Sequence, residues 1–459
     1  MNQVINNRDP INGNVNTVFW RYALPEIIGF LAISSAGFVD AIFLGNYVGQ
    51  IALATVNLSI PALTTFFAVS MLISVGGSVV CGKLIGRKKR EQANAVFTST
   101  IIIGVISALL LFLLSMIFFN ELIIALGAKG DELEGMLSTY LGIILLFAPL
   151  YVMEIMAFYF IRLDGQPELA SGAFIFGAAV NIFLDWLFIA EFGWGIEGAA
   201  YATGLAMVTN FVILFPYFFT KYSKLKFTKP MTDIRLLLKA YVNGISEFAN
   251  EASIGVTVLI FNWVMITRLG TEGVAALSII DHIWMVGLYV IVGMCDSLQP
   301  SISQNFGAGN AKRIIDFMRI AAISSLSVGI IMIIAMIFFP DMLISIFLQE
   351  DEIRTREIAA EFLIYIWPAF LFVGLNILLS TYFTSMHKAF QSTVIAFSRS
   401  FVLPAICLLI LPLWIGNIGM FIALPVAEGV TFLIAAAFFI KRLPQKLIDE
   451  DKDRINSEA

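Results

Sequence analysis

Apolar residues run along this chain in blocks of about 20 or more, the length that crosses a bilayer as a helix. Short polar breaks separate them. The blocks fall near 18–43, 51–81, 95–119, 138–161, 169–190 and 197–219, then 237–268, 274–300, 317–339, 359–384, 391–413 and 416–440. Twelve blocks predict twelve transmembrane helices. The runs at 51–81 and 237–268 exceed a bilayer's thickness and are expected to tilt, bend or project beyond it.

The longest polar break, Lys221–Lys239, reads KYSKLKFTKPMTDIRLLLK and falls at mid-chain. Around it the chain repeats itself weakly. GKLIGRKKREQANAV at 82–96 answers SQNFGAGNAKRIIDF at 303–317, GIEGAAYAT at 195–203 answers GNIGMFIAL at 416–424, and LGNYVGQIALA at 44–54 answers LGTEGVAALS at 269–278. Each half holds an even number of helices, so both halves enter the membrane from the same side and a pseudo-twofold axis along the membrane normal relates them. The predicted fold is an all-α membrane protein of two six-helix bundles. Its expected parts are a tail at 1–16, an N-lobe at 17–220, a linker at 221–235, a C-lobe at 236–440 and a second tail at 441–459. A cavity between two such bundles is the natural substrate path.

Charge sets the expected orientation. With the N-terminus inside, 24 of the 28 Lys and Arg fall on the cytoplasmic side, leaving Lys129, Arg268, Arg354 and Arg356 outside. Cytoplasmic loops hold this excess in membrane proteins generally, so both termini are expected in the cytoplasm. With 59% hydrophobic and 13% charged residues, a soluble globule is excluded. The net charge of −5 gives no reason to expect a nucleic-acid partner. Cys81, Cys295 and Cys407 lie in apolar surroundings without CxxC spacing and read as buried thiols. The polar, Asn-rich first sixteen residues do not resemble a cleaved signal.

Polar residues inside the apolar blocks carry the candidate chemistry. Asp40 and Asp185 each lie six residues before a polar residue, Asn46 and Glu191, where their helices meet an outer loop. At 1.5 Å per residue both carboxylates sit roughly 9 Å below that loop. Asn181 precedes Asp185 by four residues and shares its helix face. Thr203 lies six residues into the next helix, at the same level. Two carboxylates, an amide and a hydroxyl suit a shared proton or a Na⁺ held by oxygens. Close carboxylates in a low dielectric do not both ionise cheaply, so one is expected to keep a proton. Interhelical hydrogen bonding alone is the plainer role for such polar groups.

In the second half, Glu251 and Asp296 form a candidate C-lobe site. Glu247 reads as solvated at the cytoplasmic end, and Arg399 as snorkelling back to the cytoplasm. His282 sits about two turns from an outer break, and Asp281 and Glu428 complete the intramembrane charges considered.

An acid late in helix 1 followed by an LGN-type loop, NIFLD late in helix 5, and twelve helices in two parallel repeats together resemble the multidrug and toxic compound extrusion (MATE) transporters. The resemblance spans roughly residues 15–440. Asp40, Asn181, Asp185 and Thr203 match the N-lobe proton or cation site of the DinF-like branch, and Glu251 resembles the helix 7 acid of the NorM-like branch. Helix 10 (FLIYIWPAFLFVGLNILLS) has no acid beyond Glu361 near its outer end, so the NorM-like pairing of helices 7 and 10 lacks a member. Ala36 stands where DinF-like members can carry a tyrosine. The resemblance implies an inner-membrane antiporter, read as a monomer in lipid, that exports organic cations or toxic amphiphiles against H⁺ or Na⁺ and uses no other cofactor.

A flippase for lipid-linked precursors is the alternative on the same architecture, but its pyrophosphate cavity calls for several basic residues and Arg399 is the deep one available. A channel calls for charged rings or carbonyl filters, usually from symmetric subunits. An enzyme is disfavoured by two histidines, no HExxH, and no Gly-rich phosphate loop.

Overall fold

A computed structural model describes residues 9–231, 233–348 and 352–458. Among them the regular structure is helical, and eleven stretches are long and apolar enough to cross a membrane. We number the helices α1 Val15–Tyr47, α2 Gln50–Gly86, α3 Arg90–Ile117, α4 Asp131–Leu163, α5 Pro167–Glu191 and α6 Gly195–Phe219. The stretch Ala240–Ala308 breaks at Gly270 (φ 71°, ψ −159°), giving α7 before it and α8 after it. Then follow α9 Ala311–Phe338, α10 Ile353–Ser385, α11 Ala389–Ile415, α12 Ala423–Lys441 and a polar terminal helix, α13 Pro444–Glu458. The eleven stretches thus supply twelve crossings. Large apolar side chains stay exposed along one side of α3 (Leu113, Leu114, Ile117) and of α9 (Ile330, Ile331, Ile334), as helices facing lipid require.

The chain folds as two compact units. One is Ile28–Gly244, the N-lobe; the other joins the chain up to Ile27 with the chain from Ile245 on, the C-lobe. The changeovers fall inside α1, two residues past Pro25, and inside α7. Pro25 removes one donor from the α1 ladder, and farther on Ser35 Oγ bonds back to the Leu31 carbonyl at 2.8 Å.

In the N-lobe, α4 is the most enclosed helix: Leu141, Ile144, Leu145, Ala148, Val152, Met156 and Phe160 are buried along it. Residues 224–231 of the linker are held against this lobe by backbone donors meeting side-chain oxygens. Lys226 N–H reaches Asn94 Oδ1 at 3.1 Å, Thr228 N–H Thr98 Oγ1 at 3.0 Å, and Met231 N–H Ser99 Oγ at 2.7 Å. Asp164 Oδ2 accepts from Tyr217 Oη at 2.6 Å and from Lys224 N–H at 2.7 Å. Burial pushes the Asp164 carboxyl above its ordinary range, and those two bonds offset part of that. The first turns of α7 cross α2 at backbone contact. A Cβ on Gly76 would stand 2.2 Å from the Ala240 oxygen, and one on Gly244 1.9 Å from the Leu72 oxygen, so only glycine fits at either place.

In the C-lobe, Arg313 holds the chain ahead of α1, its Nε donating to the Pro10 carbonyl at 2.9 Å and its Nη2 to the Gly13 carbonyl at 2.5 Å. Asn305 Nδ2 donates to the same Pro10 oxygen at 2.9 Å. The helix α13 buries Leu447 and Ile448, and its Glu450 pairs with Lys388 at 3.1 Å and Arg442 at 2.7 Å. Burial alone would raise the Glu450 carboxyl. The Lys388 hydrogen bond and the charges of Lys388, Arg442 and Lys446 outweigh it and hold the group below its ordinary range.

The internal repeat is written in the backbone. Left-handed residues recur 221 positions apart at Gly49 and Gly270, Lys88 and Gly309, and Gly195 and Gly416, with Gly165 and His387 222 apart. This register corrects one sequence pairing: aligning LGN at 44–46 with LGT at 269–271 sets the first turn one helical turn out, because the left-handed residue there is Gly49 and not Gly45.

Candidate functional site

Asp185 ends the regular part of α5, and the next residues, Trp186–Glu191, wind as a π-helical turn. Such wide turns are frequent at functional sites, since they re-aim the neighbouring side chains. Asp185 is fully buried, and Asp40 of α1 is 8% exposed; the two carboxylates act directly on one another. Tyr140 of α4 is hydrogen-bonded to Thr203 of α6, and both carboxylates act on its phenol. Asn181 is buried one turn before Asp185 on the same face. The structure therefore gathers Asp40, Asp185 and Thr203 around Tyr140, with Asn181 beside Asp185. Four polar atoms there are buried without a hydrogen-bond partner: Asp40 Oδ1, both Asp185 oxygens and Asn181 Nδ2. Three of them are acceptors with negative charge to share, which fits a proton or an oxygen-coordinated monovalent cation. Among the described residues, no group of three or more His, Cys, Asp or Glu could hold a metal ion.

The C-lobe acids have different surroundings. Glu251 is half-buried and accepts from Asn250 Nδ2 at 3.2 Å, while Asp296 is half-buried within electrostatic reach of it. Glu247 is half-buried rather than solvated, and Thr384 Oγ1 donates to it at 3.4 Å; α10 reaches it because the helix runs on to Ser385. Arg399 does not snorkel. Its Nε pairs with Glu428 of α12 at 3.0 Å, with side chains 16% and 2% exposed, and Asn376 Nδ2 adds a 2.7 Å bond to Glu428. His282 is exposed at its tip and bonds the Ser278 carbonyl through Nδ1 at 2.6 Å.

Two polar groups stand outside the expected set. Tyr140 looks in sequence like an interfacial aromatic near a helix start, and nothing in its spacing points at the carboxylates. Glu154, 2% exposed on α4 and hydrogen-bonded by Asn210 of α6, did leave a signal: it is the one charged residue well inside the block 138–161.

A two-lobed helical membrane protein with carboxylates buried at membrane depth belongs to the class of membrane transporters. More narrowly, the chain belongs to the MatE family, whose model matches residues 25–187 and 253–409, one stretch in each half. Multidrug export protein MepA of Staphylococcus aureus (strain MSSA476) is 23% identical over 418 residues, 90% of this chain and 91% of that protein. The MepA of strain N315 is 26% identical over 321 residues, 69% of each chain. Among solved structures, an outward-facing multidrug resistance MATE family transporter superposes with a TM-score of 0.88 at 22% identity, covering 96% of this chain and 97% of that one. A MOP superfamily transporter from Pyrococcus furiosus gives 0.87 at 21% identity over 96% and 98%. These likenesses establish the twelve-crossing, two-lobe fold.

Proposed function

We propose that this protein is a secondary active multidrug exporter of the cytoplasmic membrane, with both termini in the cytoplasm, that exchanges organic cations or toxic amphiphiles for H⁺ or Na⁺. Its relatives' role in multidrug export supports the substrate class. The observation that carries the coupling is the buried Asp40–Asp185 pair, three of whose four oxygens are buried without a hydrogen-bond partner and on which, among the described residues, no Lys or Arg acts. An ion bound between the carboxylates relieves their repulsion. Their neutralisation alters the packing of α1, which carries Asp40 and crosses from one unit to the other just past Pro25. Drug and ion then disfavour one another reciprocally, by a coupling free energy of about 1–3 kcal/mol for typical linked sites.

The test is export of a fluorescent cation from liposomes containing the purified protein, driven separately by a proton and a sodium gradient. Asp40→Asn imitates the neutralised state. It should fold, lose ion-driven export, and lose the pH or Na⁺ dependence of drug affinity. An unchanged ion dependence in the variant would return Asp40 to a structural role.

A further inference from the structure

Each lobe holds a buried glutamate–asparagine pair between its fourth and sixth helices, with the residue types exchanged. In the C-lobe, Asn376 of α10 donates to Glu428 of α12; in the N-lobe, Asn210 of α6 is hydrogen-bonded to Glu154 of α4. The repeat register places Glu154 on Asn376, and Asn210 within one turn of Glu428. The charge balance differs. Glu428 has Arg399 against its other oxygen at 3.0 Å. The N-lobe counterpart of Arg399 falls at Gly177–Ala178, neither of them charged, and a Cβ on Gly177 would lie 2.0 Å from Asn210 Oδ1, so a side chain there would displace the asparagine.

The helices packed on α4 bring no cation to the level of Glu154: the buried Lys83 of α2 and Arg162 of α4 itself lie eight residues, roughly 12 Å, farther along from Val75 and Glu154. Met71, Val75 and Val79 of α2 meet the neighbouring Ile155 and Tyr159, and Gly104 of α3 meets Met156. From α5 comes Gly177, behind Asn210, and from α6 Asn210 itself. Among the described residues no other charged or titratable group acts on Glu154, and the acid layer is separate from it: Asn210 lies seven residues, roughly 10 Å, along α6 from Thr203.

Two atoms of the pair are buried without a partner, Glu154 Oε2 and Asn210 Oδ1, and both are acceptors. A single proton on Glu154 Oε2 makes that oxygen a donor beside an amide whose own oxygen has none. It also removes a buried, uncompensated charge. We propose that Glu154 is a second proton-binding site of the N-lobe, a step beyond the Asp40–Asp185 layer, where a proton takes the place that Arg399 has in the other lobe. Its role in transport rests on the ion-driven exchange proposed above; proton binding itself does not.

The experiment is infrared difference spectroscopy of the purified protein in lipid, together with export in liposomes. Wild type should show the C=O stretch of a protonated carboxylic acid that Glu154→Gln lacks. The glutamine amide can also donate to Asn210, so this variant should fold and keep the wild-type pH dependence of drug affinity set by the aspartates. Its ion-driven export should fall by roughly a hundredfold, the low end of what losing a proton-transfer group costs. Glu154→Asp, which keeps an acid, should restore part of the export. The proposal is overturned if the band survives in Glu154→Gln or if that variant exports at the wild-type rate. Should Glu154→Gln misfold, Asn210→Ala must shift the band without abolishing it, and an unmoved band overturns the site. Failure of the antiport reading would appear instead as an Asp40→Asn variant with unaltered ion dependence, leaving the infrared result untouched.

Discussion

The crossing of α2 and α7 gives a prediction whose size follows from distances. A Cβ on Gly244 would lie 1.9 Å from the Leu72 oxygen, 2.7 Å from its carbonyl carbon and 3.0 Å from its Cα. Relief to ordinary contact moves the two backbones apart by about 1.5 Å, and no rotamer can absorb it because every obstructing atom is main chain. Overpacking of this kind costs about 1–3 kcal/mol, at times more. A gap of 0.5–1 Å elsewhere in the contact forfeits roughly a quarter to a half of each dispersion well. Against this, alanine's better helix propensity returns at most about 1 kcal/mol. Gly244→Ala should therefore destabilise the protein by about 3 kcal/mol, and Gly76→Ala, with 2.2 Å to the Ala240 oxygen, by somewhat less. Since one substitution already opens the crossing, the double variant should lose less than the sum. Gly172→Ala and Gly255→Ala meet nothing within 4 Å and serve as controls that stay neutral or gain slightly. Thermal denaturation in detergent, followed as loss of the monodisperse species, ranks all five. If Gly244→Ala denatures alongside the controls, the close approach of α2 and α7 is wrong.

Tyr140→Phe removes the hydrogen bond to Thr203 within the acid layer and should weaken ion binding by about 1 kcal/mol, roughly fivefold; ion-dependent drug affinity is the readout, and an unaltered ion constant would remove Tyr140 from the site. Glu450 is held below its ordinary range, so its contribution to stability is complete above that range and disappears as pH falls through the depressed value. Glu450→Gln should therefore flatten the acid limb of the thermal stability curve and differ least from wild type at high salt; a parallel acid limb in the two proteins would show that the Lys388–Glu450–Arg442 cluster does not hold α13.

The helices were legible because apolar blocks of bilayer length leave a chain few other folds. Placing Asp40, Asp185 and Thr203 in one layer needed only a count of residues from each loop, because α1 and α6 are regular up to that depth and α5 departs from it by a single π-helical turn. The misreadings share a different cause. Arg399 seemed bound to reach the cytoplasm because its partner, Glu428, lies 29 residues away on another helix, and sequence spacing does not report contacts between helices. Glu247 seemed solvated because the reach of α10 beside it could not be counted from its own helix. The repeat was misaligned at its first turn because several glycines stand there and sequence does not say which one takes positive φ.

The corrected register also explains why a duplicated fold carries an unduplicated site. At an offset of 221, Asp40, Asn181, Asp185 and Thr203 correspond to Phe261, Val402, Ile406 and Leu424, so each of these four has an apolar counterpart in the C-lobe. The C-lobe ion pair behaves likewise: Glu428 corresponds to Met207, and Arg399 to Gly177–Ala178. Apolar substitution at such depth preserves helix packing and avoids burying a second charge, so after duplication either copy can lose its acids without losing its fold. A fully buried charge is cheapest to retain where something balances it. In the C-lobe that is Arg399, fixed in the chain and unable to leave. Among the described residues no Lys or Arg acts on Asp40, Asp185 or Glu154, so a charge that balances them would come from solution and could return to it. On the proposed antiport reading a coupling site requires that reversibility, which favours Asp40, Asp185 and Glu154 over Glu428 as the place of the exchangeable ion.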